Sequence, residues 1–264
     1  MFAPVALACA VLLVAPAPQT STVTVPPVNA KADYQLGGSY PLPHGVRVVT
    51  RDRTESPARS AYSICYVNAY QTQPGQLRWW KRHHDGLLLR RKGTLVHDPG
   101  WPGEVLLNTS TATRRQRIAD VIGRWITGCD RSGFRAVEPD NLDSFTRSHR
   151  LLTRSNNLAL ARLLVARAHM AGLAIAQKNL AGLSRAARTS IGFDFAVAEE
   201  CSEYAECRAY RRAYGRHVIE IEYSDNGRAA FTRACRQHGA RWSVVYRDRD
   251  LRRPSSSQYV YDTC

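Results

Sequence analysis

Short apolar runs rich in β-branched and aromatic residues recur from residue 34 onward, separated by polar loops and amphipathic stretches. Runs of this kind, bounded by turn-forming residues, are typical of buried β-strands. The eight predicted strands cover residues 34–36, 46–49, 62–66, 134–137, 173–176, 193–197, 218–221 and 242–246.

Helical periodicity is clearest in three of the intervening stretches, residues 113–127, 156–171 and 231–238. Gly172 and Gly239 follow the last two of these, and glycine commonly ends a helix. Because strands that alternate with helices form a parallel sheet, the pattern predicts an α/β fold. Eight strands in one domain predict a closed (β/α)8 TIM barrel.

The first thirty residues differ in composition from the remainder of the chain. Residues 5–15 are an unbroken apolar run, too short to span a bilayer, and a Pro/Ser/Thr-rich stretch follows it. We therefore predict a signal peptide and leader over residues 1–30, and a secreted, extracellular protein. The remainder is enough for one sizeable core, which predicts a catalytic barrel over residues 31–253 and a tail over residues 254–264.

Six cysteines follow the predicted leader, and an even number in an exported chain favours disulfide bonds over metal ligands. Cys201 and Cys207 are close enough in sequence to form a local disulfide, whereas the other pairings stay open. The histidines are not placed at metal-ligand spacing, and the sequence contains neither a nucleotide-binding glycine motif nor a serine elbow. We therefore predict a site with no metal and no organic cofactor.

The formal net charge is +15 and comes almost wholly from arginine. A basic surface attracts nucleic acid, anionic lipid or acidic polysaccharide. The arginines are scattered from Arg47 to Arg253, with no regular stripe and no aromatic platform of the kind that binds single strands. We therefore predict a solvated basic surface on a monomer, with no nucleic-acid partner and no stable membrane insertion. A protein that binds anionic polymer through arginine is an alternative class.

Carboxylates directly follow two of the predicted strands. Glu138 and Asp140 come after the fourth strand, and Glu199 comes after the sixth. Because functional residues of a parallel barrel lie where its strands end, we expect these acids at one rim. Hydrolysis of a glycosidic bond needs one protonated acid and one ionised carboxylate. The pattern therefore predicts sugar chemistry.

The neighbours of these acids suggest their roles. Asp140 has Asn141 beside it and Lys178 at the next strand end, which suits the ionised carboxylate. Glu199, beside Glu200 and after an apolar strand, suits the protonated acid. We therefore predict Asp140 and Glu199 as the catalytic pair. The predicted substrate-binding residues are Gln35, Asp52, Tyr70, Trp101, Glu138, Asn141, Asp143, Lys178, Glu222 and Tyr223.

Residues 71–112 are the one large insertion, after the third strand. We predict an ordered loop lobe over the barrel mouth, with Trp101 available to stack on a sugar. Glu104 in the lobe and Glu220 or Glu222 on the seventh strand are rival carboxylates. Strand alternation directs the last two to the same side.

Several short motifs stand in a fixed order between residues 34 and 251: Tyr34-Gln35-Leu36, Cys65-Tyr66-Val67-Asn68, Trp101-Pro102-Gly103-Glu104, Lys178-Asn179 and Glu222-Tyr223. Together with the acidic strand ends they resemble glycoside hydrolase family 114, the secreted endo-α-1,4-polygalactosaminidases, whose fold is a (β/α)8 barrel. The resemblance implies that Asp140 is the nucleophile or charge stabiliser and Glu199 the acid/base. It also implies an α-1,4-linked galactosamine polymer as substrate, with Glu138, Asn141, Asp143, Lys178 and Tyr223 lining the subsite.

Asn108, Gln177, Leu180 and Ala198 stand where that family usually has other residues. A basic protein also repels a cationic polymer unless its cleft is locally acidic. A hydrolase of an N-acetylated or neutral α-linked glycan is therefore one alternative, and a catalytically inactive glycan-binding TIM barrel is another.

Overall fold

The computed structural model describes residues 23–183 and 186–264 and contains a nine-stranded sheet, together with a separate two-stranded hairpin. The sheet order is β1-β2-β3-β6-β7-β8-β9-β10-β11, and its first eight strands are parallel. Each of the eight predicted strands overlaps one of them, which confirms the barrel prediction. The strands are β1 (Ala32–Gln35), β2 (Val48–Asp52), β3 (Tyr62–Asn68), β4 (Arg90–Arg91), β5 (Thr94–Leu95), β6 (Ala136–Asp140), β7 (Ala174–Lys178), β8 (Phe195–Glu199), β9 (Val218–Tyr223), β10 (Ser243–Arg247) and β11 (Tyr261–Thr263).

Side chains join β10 to β1, where the parallel barrel meets its own first strand. The buried Arg247 Nη1 donates to Asp33 Oδ1 at 2.9 Å and also to the backbone oxygen of Tyr34. β11 pairs antiparallel with β10, and the Tyr261 hydroxyl donates to the backbone oxygen of Ala32 at 3.1 Å. The sheet is therefore nearly closed.

Helices pack on the outside of the sheet and cover it unevenly. The three predicted helices are present, whereas residues 36–47 and 53–61 form turns and loops between the first strands. Among the described residues, no helix combines the length and the apolar character needed to cross a membrane. The helices are α1 (Leu77–His84), α2 (Ala112–Ser132), α3 (Arg154–Met170), α4 (Cys207–Tyr214) and α5 (Ala229–His238).

Local sequence signals set the bounds of α2 and α3. The Thr111 side chain accepts a hydrogen bond from the Arg114 N–H and begins α2. Gly133 ends α2 with φ 97°, a left-handed conformation that glycine adopts without steric cost. Thr153 and Asn156 form a reciprocal capping box at the start of α3. Because α2 precedes β6 and α3 precedes β7, these helix ends help to fix the positions of the two strands.

Side chains alternate between the barrel interior and the layer under the helices. The interior is filled by small or β-branched side chains such as Ala136, Ala174 and Val197, whereas Val137, Ile175 and Ala196 pack under the helices. Because the period of a strand is two, each strand's interior series continues to its carboxyl end. Polar residues that lie two or four positions after an interior residue of the same strand therefore point into the barrel mouth.

Residues 23–30 lie against the amino-terminal end of the barrel. Val23 and Val25 pack against the interior cluster, and the Tyr62 hydroxyl donates to the backbone oxygen of Thr24. Most of the predicted signal peptide, residues 1–22, lies outside the described residues.

Within the described ranges, three disulfides link elements of the barrel. Cys201 is bonded to Cys207, the pair that their spacing favoured. The other two bonds are Cys65–Cys129, which joins β3 to α2, and Cys235–Cys264, which joins α5 to the carboxyl end of the chain. Such cross-links stabilise chiefly by restricting the unfolded chain, by about 2–4 kcal/mol each.

The insertion after β3 contains α1 and the β4–β5 hairpin, and isolated antiparallel bridges pair Gln71, Leu88 and His97 with residues 105–107. Leu89, Val96 and Leu106 form a small apolar cluster with Leu152, which lies outside the insertion, between β6 and α3. Trp80 is fully buried, whereas Trp101 is 50% exposed.

Candidate active site

Lys178, at the carboxyl end of β7, lies at the centre of a cluster of acids from the carboxyl ends of β6 and β8. Its Nζ is 3.1 Å from Glu138 Oε1, 3.3 Å from Asp140 Oδ1 and 3.3 Å from Glu199 Oε2. The Tyr34 hydroxyl lies 3.0 Å from the same nitrogen. Three carboxylates from two strands therefore share one buried ammonium group.

Strand parity explains why these residues meet. Glu138 and Asp140 continue the interior series of β6 that begins at Ala136, and Lys178 continues the series of β7. Glu199 does the same on β8. Since these three strands are neighbours in the sheet, their last interior side chains converge.

Asp140 is held in its ionised form. Burial opposes ionisation, but the Lys178 ammonium, the Tyr66 hydroxyl and the Asn141 N–H outweigh it and lower the pKa of Asp140. The Tyr66 hydroxyl donates to Oδ2 at 2.8 Å, and the Asn141 N–H donates to Oδ1 at 2.7 Å. With 18% of its side chain exposed, Asp140 is a carboxylate that a bound molecule can reach.

Glu199 is fixed by donors on both of its oxygens. The Tyr223 hydroxyl donates to Oε1 at 2.5 Å, and Asn179 Nδ2 donates to Oε2 at 2.8 Å. Asn179 Oδ1 also accepts the backbone N–H of Glu199 at 2.9 Å, so one amide holds both ends of this residue. Its side chain is 20% exposed.

Glu138 differs from its two neighbours because it is fully buried. Burial raises the pKa of Glu138, although Lys178 and the Tyr34 hydroxyl offset part of this effect. Burial also opposes the charge of Lys178, but Asp140, Glu199 and Glu138 together raise its pKa well above the usual range. Lys178 therefore stays charged, and Glu138 orients it from below.

A second layer of hydrogen bonds surrounds the rim next to Asp140. Asn68 Nδ2 and Gln71 Nε2 both donate to Glu104 Oε2, at 2.8 Å and 2.9 Å. Asn141 Nδ2 donates to Asn68 Oδ1 at 3.0 Å, with Asn141 itself at φ 69°. Burial raises the pKa of Glu104. The lobe thus brings a further acid to the edge of the mouth.

Asp143 lies farther along this rim and is bound to Arg147, whose Nη1 is 2.8 Å from Asp143 Oδ2. Arg147 Nε also lies 2.6 Å from Asp98 Oδ2 in the lobe. Asp52, at the end of β2, accepts from Thr54 and Gln73. These acids shape the rim and do not contact Lys178.

Three predicted substrate-binding residues lie outside the mouth. Gln35 is buried between Asp33 and Arg51, and Tyr70 is in the core, where its hydroxyl donates to the Asn157 backbone. Glu222 is buried on the outer face of β9. Gln35 and Glu222 each stand next to a tyrosine, Tyr34 and Tyr223, that points into the mouth. Because successive side chains of a strand point to opposite faces, Gln35 and Glu222 point away from it.

The residues that the sequence interpretation left out of the site are aromatic or amide side chains. Tyr34 and Tyr66 donate to Glu138 and Asp140, and Asn68 and Asn179 hold Glu104 and Glu199. Strand parity could have identified both tyrosines, since Tyr34 follows Ala32 and Tyr66 follows Ile64 on interior positions. Asn179 adopts φ 54° in a loop and gives no such signal.

The four departures from the resembled family lie away from the lysine-centred cluster. Ala198 packs under the helices, and Gln177 accepts a hydrogen bond from Tyr214 at 2.7 Å on the same outer side. Asn108 Oδ1 accepts from Ser110, and Leu180 packs against the core with φ 64°. None of the hydrogen bonds to Asp140 or Glu199 described above involves these four side chains.

A second carboxylate pair is buried on the outer face of β9. The Ser202 hydroxyl donates to Glu220 Oε1 at 2.6 Å, and the Ser202 N–H donates to Glu222 Oε1 at 2.9 Å. Burial, opposed by Ser202 and reinforced by Glu222, raises the pKa of Glu220 to about 8. Burial likewise raises the pKa of Glu222 to about 7.

We expect Glu220→Gln to flatten the pH dependence of stability. Because the folded pKa lies above the ordinary value of 4.5, Glu220 contributes stability that is complete below about pH 4.5 and is lost as pH rises through about 8. Between pH 5.5 and pH 8.5 the part of this loss that can be measured is roughly 3 kcal/mol in the wild type. Urea denaturation at pH 5.5 and pH 8.5 measures it. The exposed Glu206→Gln is the control, and the same pH dependence in both variants would contradict the expectation.

Comparisons with known proteins identify a matching family and similar folds. The profile of glycoside-hydrolase family GH114 matches residues 14–264. The fold is similar to that of Aspergillus fumigatus Ega3 in complex with galactosamine, with a TM-score of 0.70 and 21% identity over 93% of this chain and 100% of that chain. It is also similar to the glycoside hydrolase domain of PelA from Pseudomonas aeruginosa, with a TM-score of 0.56 and 11% identity over 86% of this chain and 98% of that chain. No curated protein sequence matches the chain significantly.

Proposed function

The chain belongs to glycoside hydrolase family GH114, and we propose that it is a secreted enzyme that cleaves internal α-1,4 bonds of a galactosamine-containing polysaccharide. The observation that carries the proposal is the convergence of Glu138, Asp140 and Glu199 on the single ammonium group of Lys178. Two of these acids are partly exposed at the mouth, and the third is buried beneath them.

The roles of the acids follow from their surroundings. Asp140, with its lowered pKa, is the ionised carboxylate that attacks the anomeric carbon or stabilises its positive charge. Glu138 is enclosed and cannot reach a substrate, so Glu199 is the acid that gives its proton to the leaving oxygen. In the second step Glu199 takes a proton from water, whose oxygen displaces Asp140 from the sugar.

The spacing of the pair favours retention of configuration. Asp140 Oδ1 and Glu199 Oε2 each lie 3.3 Å from Lys178 Nζ, so these oxygens are at most twice that distance apart. Retaining pairs are separated by about 5–5.5 Å, and inverting pairs by about 6.5–9.5 Å to admit a water. The upper bound only just reaches the inverting range, which supports a covalent intermediate on Asp140.

Local charge supports a cationic amino sugar despite the net charge of +15. The mouth carries Asp140, Glu199 and Glu104, with Asp52 and Asp143 on its rim, and its cations are already bound to carboxylates. A locally acidic cleft attracts ammonium groups. The Ega3 structure contains galactosamine, which is consistent with this substrate class.

The disulfides support secretion. Three disulfide bonds in a chain of this size are typical of proteins that fold in an oxidising compartment. Trp101, half exposed in the lobe near Glu104, offers an apolar face for a sugar unit beyond the cleaved bond. Such a second contact would bind the polymer along its length and favour internal cleavage.

We expect the purified protein to shorten polygalactosamine and to act more slowly as the acetylated fraction rises, because acetylation removes the ammonium charge. Product sizing against time measures the reaction, and early accumulation of mid-sized oligomers indicates internal cleavage. Proton NMR of the first products reports whether the anomeric configuration is retained. Binding without cleavage across all acetylation levels would contradict the proposal and favour an inactive glycan-binding barrel.

A further inference from the structure

Two connected depressions lie between α4 and α5, outside the barrel. One, of about 460 Å³, is lined by Arg208, Arg211, Gln237 and His238 near the barrel rim. The other, of about 410 Å³, is lined by Arg211, Arg216 and Arg241 near the amino-terminal end. Because Arg211 lines both, the two depressions adjoin at its side chain. We call the pair the α4–α5 groove.

The spacing of residues on α4 produces the basic wall of this groove. Tyr210 and Tyr214 are buried against the core, which leaves Arg208 and Arg211 on the exposed side of the helix. α4 is eight residues long, so the groove extends for roughly 12 Å along it.

The guanidinium groups of the α4–α5 groove are available for a ligand. Among the residues that the structure describes, no carboxylate lies within salt-bridge distance of Arg208, Arg211, Arg216 or Arg241. Arg233, in contrast, donates to the backbone oxygen of Ser202 and lies 4.0 Å from Glu203. Four unpaired like charges around one concavity repel each other, and an anion would relieve that repulsion.

The floor of the groove carries neutral polar groups. His238 Nε2 is buried without a hydrogen-bond partner in the described part of the chain, and its ring stacks on Trp242 at 4.3 Å. Burial together with Arg211 and Arg241 lowers the pKa of His238, so the ring is neutral at physiological pH. The neutral ring adds no charge to the floor, and the exposed amide of Gln237 can exchange hydrogen bonds with hydroxyl groups.

We propose that the α4–α5 groove binds an acidic polysaccharide, with Arg208, Arg211, Arg216 and Arg241 contacting its carboxylate or sulfate groups. Guanidinium groups bind both kinds of anion through paired hydrogen bonds. The exposed Gln237 contacts the sugar hydroxyls between them. The groove is separate from the mouth, so this binding is independent of the proposed cleavage and attaches the protein to an anionic matrix.

The lining favours a sugar chain over a nucleic acid. Among the described residues, those that line the two depressions include no tyrosine, tryptophan or phenylalanine. Single-stranded nucleic acids depend on aromatic stacking in addition to charge. A concave groove between two helices also admits a single flexible chain more readily than a duplex.

The test compares two variants with the same loss of charge. The groove variant changes Arg208, Arg211, Arg216 and Arg241 to glutamine. The control variant changes four exposed arginines elsewhere whose side chains make no hydrogen bond or ion pair with the described residues: Arg59, Arg82, Arg91 and Arg131. Binding of the full-length proteins to polygalacturonate, heparin and duplex DNA is measured over a series of salt concentrations, with neutral dextran as a blank. Thermal unfolding verifies that each variant is folded.

We expect the wild type to bind one or both acidic glycans and the groove variant to bind at least roughly tenfold more weakly at low salt, with a shallower salt dependence. The control variant should lose less than about threefold. Equal weakening in both variants would overturn the proposal, and so would groove-dependent binding to DNA that exceeds binding to both glycans. Since no cleavage is measured, the result does not depend on the proposed hydrolysis.

Discussion

Replacing Asp140 with asparagine should lower the rate of glycan cleavage by about 10⁴-fold while leaving substrate binding nearly unchanged. Asparagine has the same shape but cannot carry the negative charge that attacks the anomeric carbon. Glu199→Gln should lower the rate by about 10²–10⁴-fold, because glutamine cannot give a proton to the leaving oxygen. Initial rates of oligomer release measure both effects.

Asp143→Asn is the matched control for Asp140→Asn. Asp143 is bound to Arg147 on the rim and does not contact Lys178, so its loss should lower the rate less than about tenfold. Retention of more than a tenth of the wild-type rate in Asp140→Asn would exclude Asp140 as the nucleophile. Azide or formate should restore part of the rate in an alanine variant at that position if the missing group is a nucleophilic carboxylate.

Replacing Lys178 with methionine should destabilise the protein by about 3–5 kcal/mol at pH 8 and abolish most of its activity. Methionine fills a similar volume but leaves Glu138, Asp140 and Glu199 around a site without a cation. In the wild type the pKa of Asp140 is lowered, so this acid contributes stability above its unfolded pKa that is lost as pH falls. Without Lys178 the pKa of Asp140 should rise above its unfolded value. The pH dependence of stability then changes sign, and the variant should gain stability as pH falls towards 5.

The double variant Lys178→Met with Glu138→Gln separates stability from catalysis. Removal of one buried negative charge should restore part of the lost stability, whereas activity should stay low because Asp140 still lacks its cation. Urea denaturation at pH 5 and pH 8 gives the coupling between the two positions. A Lys178→Met protein as stable as the wild type at pH 8 would show that the three carboxylates do not depend on this lysine.

Much of the site could be predicted because strand ends are visible in the sequence. Asp140 and Glu199 come at the ends of apolar runs. Those runs form β6 and β8, which lie on either side of β7 in the sheet. Among the predicted residues, Gln35 and Glu222 lie at strand ends but on the side of the strand that points away from the mouth. The face depends on which residues of a run point inward, and a fully buried strand has apolar side chains on both sides.

The sequence by itself determined the eight strands, three of the helices, the short Cys201–Cys207 bridge and the acids at the strand ends. All of these depend on residues close together in the chain, where periodicity, turn chemistry and spacing are sufficient. The tertiary structure alone decided that Lys178 serves three carboxylates, that Cys65 pairs with Cys129, and that scattered arginines form one groove. Those contacts join residues distant in sequence, so they exist only once the barrel has closed and its helices have packed.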